Sequence, residues 1–211
     1  GSVEGNDTIL LVNSLPVASS VSVEEGDRGD VITCSVDASS DADGDTLAYR
    51  FEWQIDGDTV EGPTWFGRGI ISANLDLSAE LAATKGSTVT CIVTPDDDGE
   101  AGTTDDDDDH SIVGTSAEGT MVIANAVPTV STSLSDSLAV SADLTCSANI
   151  SDLDVEDLEV TLEWYVGDDL VEGVGLTTTI EADAASPTSG EVSSIAKVGS
   201  DLGAGEGDTI R

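Results

Sequence analysis

The sequence predicts an all-β chain of two consecutive β-sandwiches, and three observations predict it. Short alternating runs rich in Val, Ile, Thr and Leu are punctuated by Gly, Asp, Asn and Pro, the pattern of half-buried strands separated by turns. No segment holds a convincing helical period. The chain also repeats itself, because "VITCSVDASSDADGDTLAYRFEW" (31–53) lies over "DLTCSANISDLDVEDLEVTLEW" (143–164), and "DGDTVEG" (56–62) over "GDDLVEG" (167–173). The linker "VNSLPVASSVSV" (12–23) matches "IANAVPTVSTSL" (123–134) in the same way. Asn13 to Asn125, Pro16 to Pro128 and Cys34 to Cys146 are each 112 residues apart, and Trp53 to Trp164 is 111. A period held by four landmarks marks duplicated structural units.

Within the first copy the alternating runs place strands near 17–24, 30–37, 47–56, 58–61, 68–72, 74–82, 87–94 and 112–124. "SAELAATKG" (78–86) holds at most one helical turn before the next strand. In the second copy "GEGDTIR" (205–211) aligns with "TKGSTVT" (84–90), one residue before the second cysteine of the first copy. "GSVEGNDTILLVN" (1–13) aligns with "GTSAEGTMVIAN" (114–125), the final strand of the first copy. The expected organisation is therefore 1–13 as the last strand of a preceding domain, or a strand donated to a neighbour's open sheet. Residues 14–124 form domain 1, and 125–211 form domain 2, incomplete by its last two strands.

The chain has 211 residues, with 43 Asp and Glu against six Lys and Arg and a net charge of −37. Such a surface repels nucleic-acid phosphates and anionic headgroups, which need clustered Lys and Arg to release their counterions. Neither is expected as a partner, and no run of 18 apolar residues offers a membrane span. Self-repulsion at this density strains the compact state unless salt screens it or bound cations neutralise it. Aromatics make up only 3% of the chain, so each large ring is a core landmark.

At Cys34, Trp53 and Cys91 the pattern resembles the immunoglobulin-like sandwich, and more closely the tandem Ig-like, PKD-like and cadherin-like repeats of large microbial surface proteins. The residues that carry the resemblance are "TC" (33–34), "EW" (52–53), "TVTCIVTPDDDG" (88–99) and the N-x-x-P linker. The gap from Cys34 to Trp53 is longer than that family usually shows, because an aspartate stretch enlarges the loop between them. The resemblance implies that Cys34 and Cys91 pair across the two sheets against Trp53, the alternative being two buried thiols. A disulfide implies an oxidising, extracellular location. Cys146 is then left without a partner.

The loop "DADGD" fits a calcium site, because an alternating run turns several hard carboxylate oxygens toward one point and Gly permits a tight bend. Asp41, Asp43 and Asp45 meet that spacing, with Asp37 nearby; the second copy offers Asp152, Asp154 and Glu156, with Asp157 beside them. The first copy fits the motif more fully, since Val155 replaces Gly44 in the second. Ig-like topology implies that Asp96, Asp97 and Asp98 share the pole of the first loop, with Asn13 adding a neutral oxygen from the linker. Five adjacent aspartates at 105–109 cannot converge on one ion and are expected to be a solvated loop.

No catalytic constellation stands out. The single histidine, His110, follows the aspartate run, and carboxylate pairs are too abundant to nominate any two. Trp65 and Phe66 are adjacent in a strand and point to opposite faces, so Trp65 is a candidate ligand contact. The resulting expectation is no enzyme, but a structural or adhesive module of an extracellular microbial surface protein. Its sandwiches stack into a stalk or filament stiffened by disulfides and calcium, with neighbouring copies or adjacent domains as partners. The alternatives are a carbohydrate-binding accessory module of a secreted enzyme, in which Trp65 stacks on a sugar, and a pilus-like subunit assembling by strand donation through residues 1–13.

Overall fold

The computed structural model describes residues 14–37, 39–44, 46–66, 69–97, 113–135, 139–183 and 186–211. They form β-strands and one 3-10 turn, so the fold is all-β. The chain divides into two compact units, Gly1–Ala124 and Asn125–Arg211. Among the described residues no helix is long and apolar enough to cross a membrane.

The described residues of unit 1 form seven strands: β1 (Val21–Val23), β2 (Val31–Val36), β3 (Ala48–Ile55), β4 (Asp58–Phe66), β5 (Ser72–Asp76), β6 (Thr88–Asp96) and β7 (Ala117–Val122). They make two antiparallel sheets, β1-β2-β5 and β4-β3-β6-β7. Alternation in β3 sends Tyr49, Phe51, Trp53 and Ile55 inward, where they meet Ile32 and Val36 of β2, Leu75 of β5 and Val89 and Val93 of β6. Cys34 of β2 is bonded to Cys91 of β6, which pairs with Trp53 on β3, so sulfur joins the two sheets at the middle of the core. Both cysteines are fully buried.

Two expected boundaries move. The runs at 58–61 and 68–72 are separated in the sequence by Gly62-Pro63, yet β4 continues through them to Phe66. A bulge absorbs the interruption. The β3–β4 register shifts around Trp53, and Gly62, at φ +93°, lies so close to β3 that a Cβ would stand 2.7 Å from the Phe51 carbonyl oxygen. Only glycine meets both conditions. The run at 74–82 ends early as well, because β5 stops at Asp76, whose side chain accepts the Ser78 N–H and starts the 3-10 turn Leu77–Ala79.

The β3–β4 hairpin turns on Asp56 and Gly57, both at positive φ (50° and 91°), the geometry that matches the strand twist. Asp56 Oδ1 also accepts the Thr88 N–H at 2.8 Å. That backbone bond, with help from Ser87, holds the Asp56 carboxyl below its ordinary value. A depressed carboxyl stabilises the fold above its unfolded pKa and loses that contribution as pH falls through the folded value. Asp56→Asn is therefore expected to lower the unfolding midpoint at pH 7, with the difference from wild type vanishing as the pH drops below the aspartate range. Thermal melts across pH check this.

β7 crosses β1 at a second close approach. A Cβ on Gly119 would stand 2.8 Å from the Val21 carbonyl oxygen, a backbone atom with no rotamer to relieve it. Gly119→Ala is expected to destabilise unit 1 by about 1–3 kcal/mol, the usual cost of overpacking, measured by denaturant unfolding.

Unit 2 has β8 (Thr129–Leu134), β9 (Asp143–Ser151), β10 (Leu158–Leu162), β11 (Tyr165–Val166), β12 (Asp169–Leu170), β13 (Leu176–Ile180) and β14 (Ser189–Lys197). The sheets are β14-β9-β8, β10-β13 and β11-β12. β8, β9 and β14 repeat the β1-β2-β5 sheet, since Leu134 pairs with Cys146 as Val23 pairs with Cys34. Trp164 is buried and donates its Nε1–H to Ser194 Oγ at 3.0 Å. The β9–β14 ladder runs for nine pairs where β2–β5 has five.

Candidate metal centre in the aspartate loops

The aspartate loop does the same thing in both units. In unit 1, Asp41 Oδ1 accepts the N–H of Asp43 at 2.7 Å and of Gly44 at 3.2 Å. Asp43 Oδ2 then accepts the backbone N–H of Ser14 at 2.7 Å. In unit 2, Asp152 Oδ1 accepts the Asp154 N–H at 2.9 Å, and Asp154 Oδ2 accepts the Ala126 N–H at 2.8 Å. Ser14 and Ala126 are themselves 112 residues apart and each follows the linker asparagine. The first carboxylate of each D-x-D thus folds the loop, and the second fastens the unit's own incoming linker. In both loops one oxygen of the first aspartate, Asp41 Oδ2 or Asp152 Oδ2, is buried with no protein partner.

The units differ in depth. Asp43 is exposed and Asp41 half-buried, whereas Asp152 and Asp154 are each only 1% exposed. The long β9–β14 ladder is the reason. It reaches Ser151↔Ser189 and continues as Asp152 N–H to the Thr188 carbonyl and Thr188 N–H to the Asp154 carbonyl, while Thr188 Oγ donates to the Glu156 carbonyl. Thr188 therefore closes over the loop. In unit 1 the β2–β5 ladder stops at Ser35↔Ser72, followed by one further bond from Val36, and leaves its loop in solvent.

A carboxylate taken out of water without a partner costs several kcal/mol. A hard cation removes that cost, and the unsatisfied Asp152 Oδ2 is the kind of carboxylate oxygen such an ion prefers. On this ground the loop of unit 2 suits a calcium-class ion. Among the described residues, no three His, Cys, Asp or Glu side chains form a metal-holding group.

The other expected ligands stand as follows. Asp45, Asp98 and Asn13 lie outside the described residues. Asp96 and Asp97 are buried at the end of β6, where Asp96 pairs with Ala48, and complete no trio with Asp41 and Asp43. Glu156 contributes its carbonyl to Thr188. Asp37 takes the Ser20 hydroxyl and Asp157 the Ala182 N–H. Asn125 uses its side-chain Nδ2 to donate to the Ala126 carbonyl within the linker. Trp65 lies on β4 opposite Arg50, its side chain outside the description; its neighbour Phe66 packs edge-on against Phe51, ring centroids 5.3 Å apart. Sequence reasoning missed the linker amides at Ser14 and Ala126 and the covering Thr188. The 112-residue linker period was the signal for the first two.

No protein-family model matches this chain. No curated protein matches it either.

Proposed function

We infer that the chain is a structural module of an extracellular surface protein, in which sandwiches follow one another head to tail and each fixes its linker through an ion-bearing D-x-D loop. The observation that carries this reading is the duplicated clamp, with Asp43 holding Ser14 and Asp154 holding Ala126. A device that fixes the entry of a chain into a domain matters where successive domains must keep a set direction. It recurs with the repeat. The Cys34–Cys91 bond supports an oxidising location, and the excess of carboxylates suits an exterior rich in cations. The module carries no chemistry of its own and works with adjacent domains or neighbouring copies.

Small-angle scattering tests the reading. An elongated particle in calcium, with a shorter and more variable maximum dimension in chelator, is the expected result. A compact particle unchanged by chelator overturns it, as does glycan binding that is lost on Trp65→Ala.

A further inference from the structure

One outward-facing side chain differs in chemistry between the two units. Asn149 lies three residues beyond Cys146, as Asp37 lies three beyond Cys34. The triplet Asp37-Ala38-Ser39 of unit 1 thus has Asn149-Ile150-Ser151 as its counterpart in unit 2. Asn-x-Ser, with x other than proline, is the acceptor triplet for N-linked glycans.

The surroundings of the two triplets differ as well. In unit 1 the Asp37 carboxylate accepts the Ser20 hydroxyl, and Ser39 Oγ accepts the Ser19 N–H at 3.4 Å, so both side chains are engaged by the segment leading into β1. In unit 2, alternation along β9 buries Ala148 and Ile150 and turns Asn149 and Ser151 outward on one face, where both are exposed. Among the described residues neither the Asn149 amide nor the Ser151 hydroxyl has a hydrogen-bond partner. Asn149 stands opposite Ser131 on β8 and Glu191 on β14, with Ser133, Ser147 and Ser193 two residues further along. Most of these neighbours are short hydroxyl side chains, over which a bulky group on the amide nitrogen has room to lie.

We propose that Asn149 is the attachment site of an N-linked glycan, and that Asp37 denies the equivalent position to unit 1. The donor is an oligosaccharide carried on a lipid pyrophosphate. Asn149 Nδ2 attacks its anomeric carbon, the bond from that carbon to the pyrophosphate oxygen breaks, and the lipid pyrophosphate leaves with the bonding pair. The amide proton passes to a base of the transferase, and no oxidant or reductant takes part. The sheet sets the timing. β9 is the central strand of β14-β9-β8, and its backbone is paired on both sides at Asn149, so the triplet is open along its backbone only before β8 and β14 close on it. The folded unit accommodates the product because the modified side chain points away from the core. This inference rests on the extracellular reading above, since export is what brings the chain to the transferase.

The test secretes the full chain from a eukaryotic cell behind a cleavable export signal. Asn6 is changed to Gln throughout, because Asn6-Asp7-Thr8, outside the described residues, is a second triplet of the same kind. Peptide-N-glycosidase in heavy-oxygen water is expected to lower the mass of the secreted chain and to leave an isotope-labelled aspartate at position 149. Asn149→Gln and, separately, Ser151→Ala are expected to abolish both signals, and Ser151→Thr to retain them. Each of these substitutions is at an exposed position and is expected to leave the unfolding midpoint nearly unchanged. An unmodified Asn149 in a secreted chain whose peptide map joins Cys34 to Cys91 overturns the inference and leaves the extracellular reading in place. Labelling that survives Ser151→Ala overturns it too. A glycan on Asn149 in a chain whose Cys34 and Cys91 stay reduced upholds the site and counts against the extracellular reading alone.

Discussion

Calcium added to metal-free protein is expected to raise the unfolding midpoint of unit 2, and Asp152→Asn is expected to remove that rise. The expectation follows from one atom. Asp152 is 1% exposed, its Oδ1 is taken by the Asp154 N–H, and its Oδ2 has no protein partner. In the absence of an ion this buried oxygen is left unsatisfied, and a buried polar atom without a partner costs free energy. An ion that binds only the folded unit adds about 2.7 kcal/mol at one hundred times its dissociation constant. For a domain of this size that shifts the midpoint by roughly 10 °C or more. Asparagine removes the charge and leaves an acceptor for the Asp154 amide, so Asp152→Asn should equal or exceed wild type in chelator and fall below it in calcium. That crossing of order separates ion binding from a merely structural aspartate, whose loss would cost the same in both buffers. Differential scanning calorimetry with calcium, magnesium and chelator reads it directly. Identical wild-type traces in all three would remove the ion from the scheme. Asp41→Asn is expected to follow the same pattern with a smaller amplitude, because Asp41 is only half-buried and a carboxyl nearer water gains less from a partner.

The aspartate loops were legible in the sequence, but their depths were not. Alternating Asp41, Asp43 and Asp45 with Gly44 make the first loop the fuller match to the motif, yet the more deeply buried aspartates are those of the second. Depth comes from the β9–β14 ladder, four pairs longer than β2–β5, and from Thr188 closing over it. Ladder length is fixed by pairing between segments about forty residues apart, to which a local motif is blind. The core, by contrast, was written in single residues. Cys34, Trp53 and Cys91 each sit in a run of period two, so their facing follows once the strands exist. Gly62-Pro63 misled for the opposite reason. It reads as a stop in any one-dimensional pattern, whereas in the sheet it is a bulge that β3 tolerates and that carries the strand on to Phe66. The linker clamp lay between these cases. The period aligns Ser14 with Ala126, but their contribution is a backbone N–H, and residue identity is silent about backbone donors.

Reduction is expected to divide the two units more sharply than any single substitution. Cys34 and Cys91 are 57 residues apart, and closing a loop of that length removes enough freedom from the unfolded chain to stabilise unit 1 by about 4 kcal/mol in the chain-entropy description. Set against a typical total of about 5–15 kcal/mol, this is a large share, and it corresponds to a fall in midpoint on the order of 15 °C. Unit 2 presents the same tryptophan against the same sheet, but with Cys146 as a thiol, so reductant has nothing there to break. A calorimetric scan with and without dithiothreitol should move one transition down and leave the other in place. The double substitution Cys34→Ala with Cys91→Ala should reproduce the shift without reductant, somewhat enlarged because both sulfurs are fully buried beside Trp53 and their loss leaves a void. Cys146→Ala, which breaks no bond and sits at the edge of an open cleft, should cost far less. A chain whose transitions ignore reductant altogether would mean that the sheets of unit 1 are held by their apolar core alone, with the sulfur bridge adding nothing to the balance.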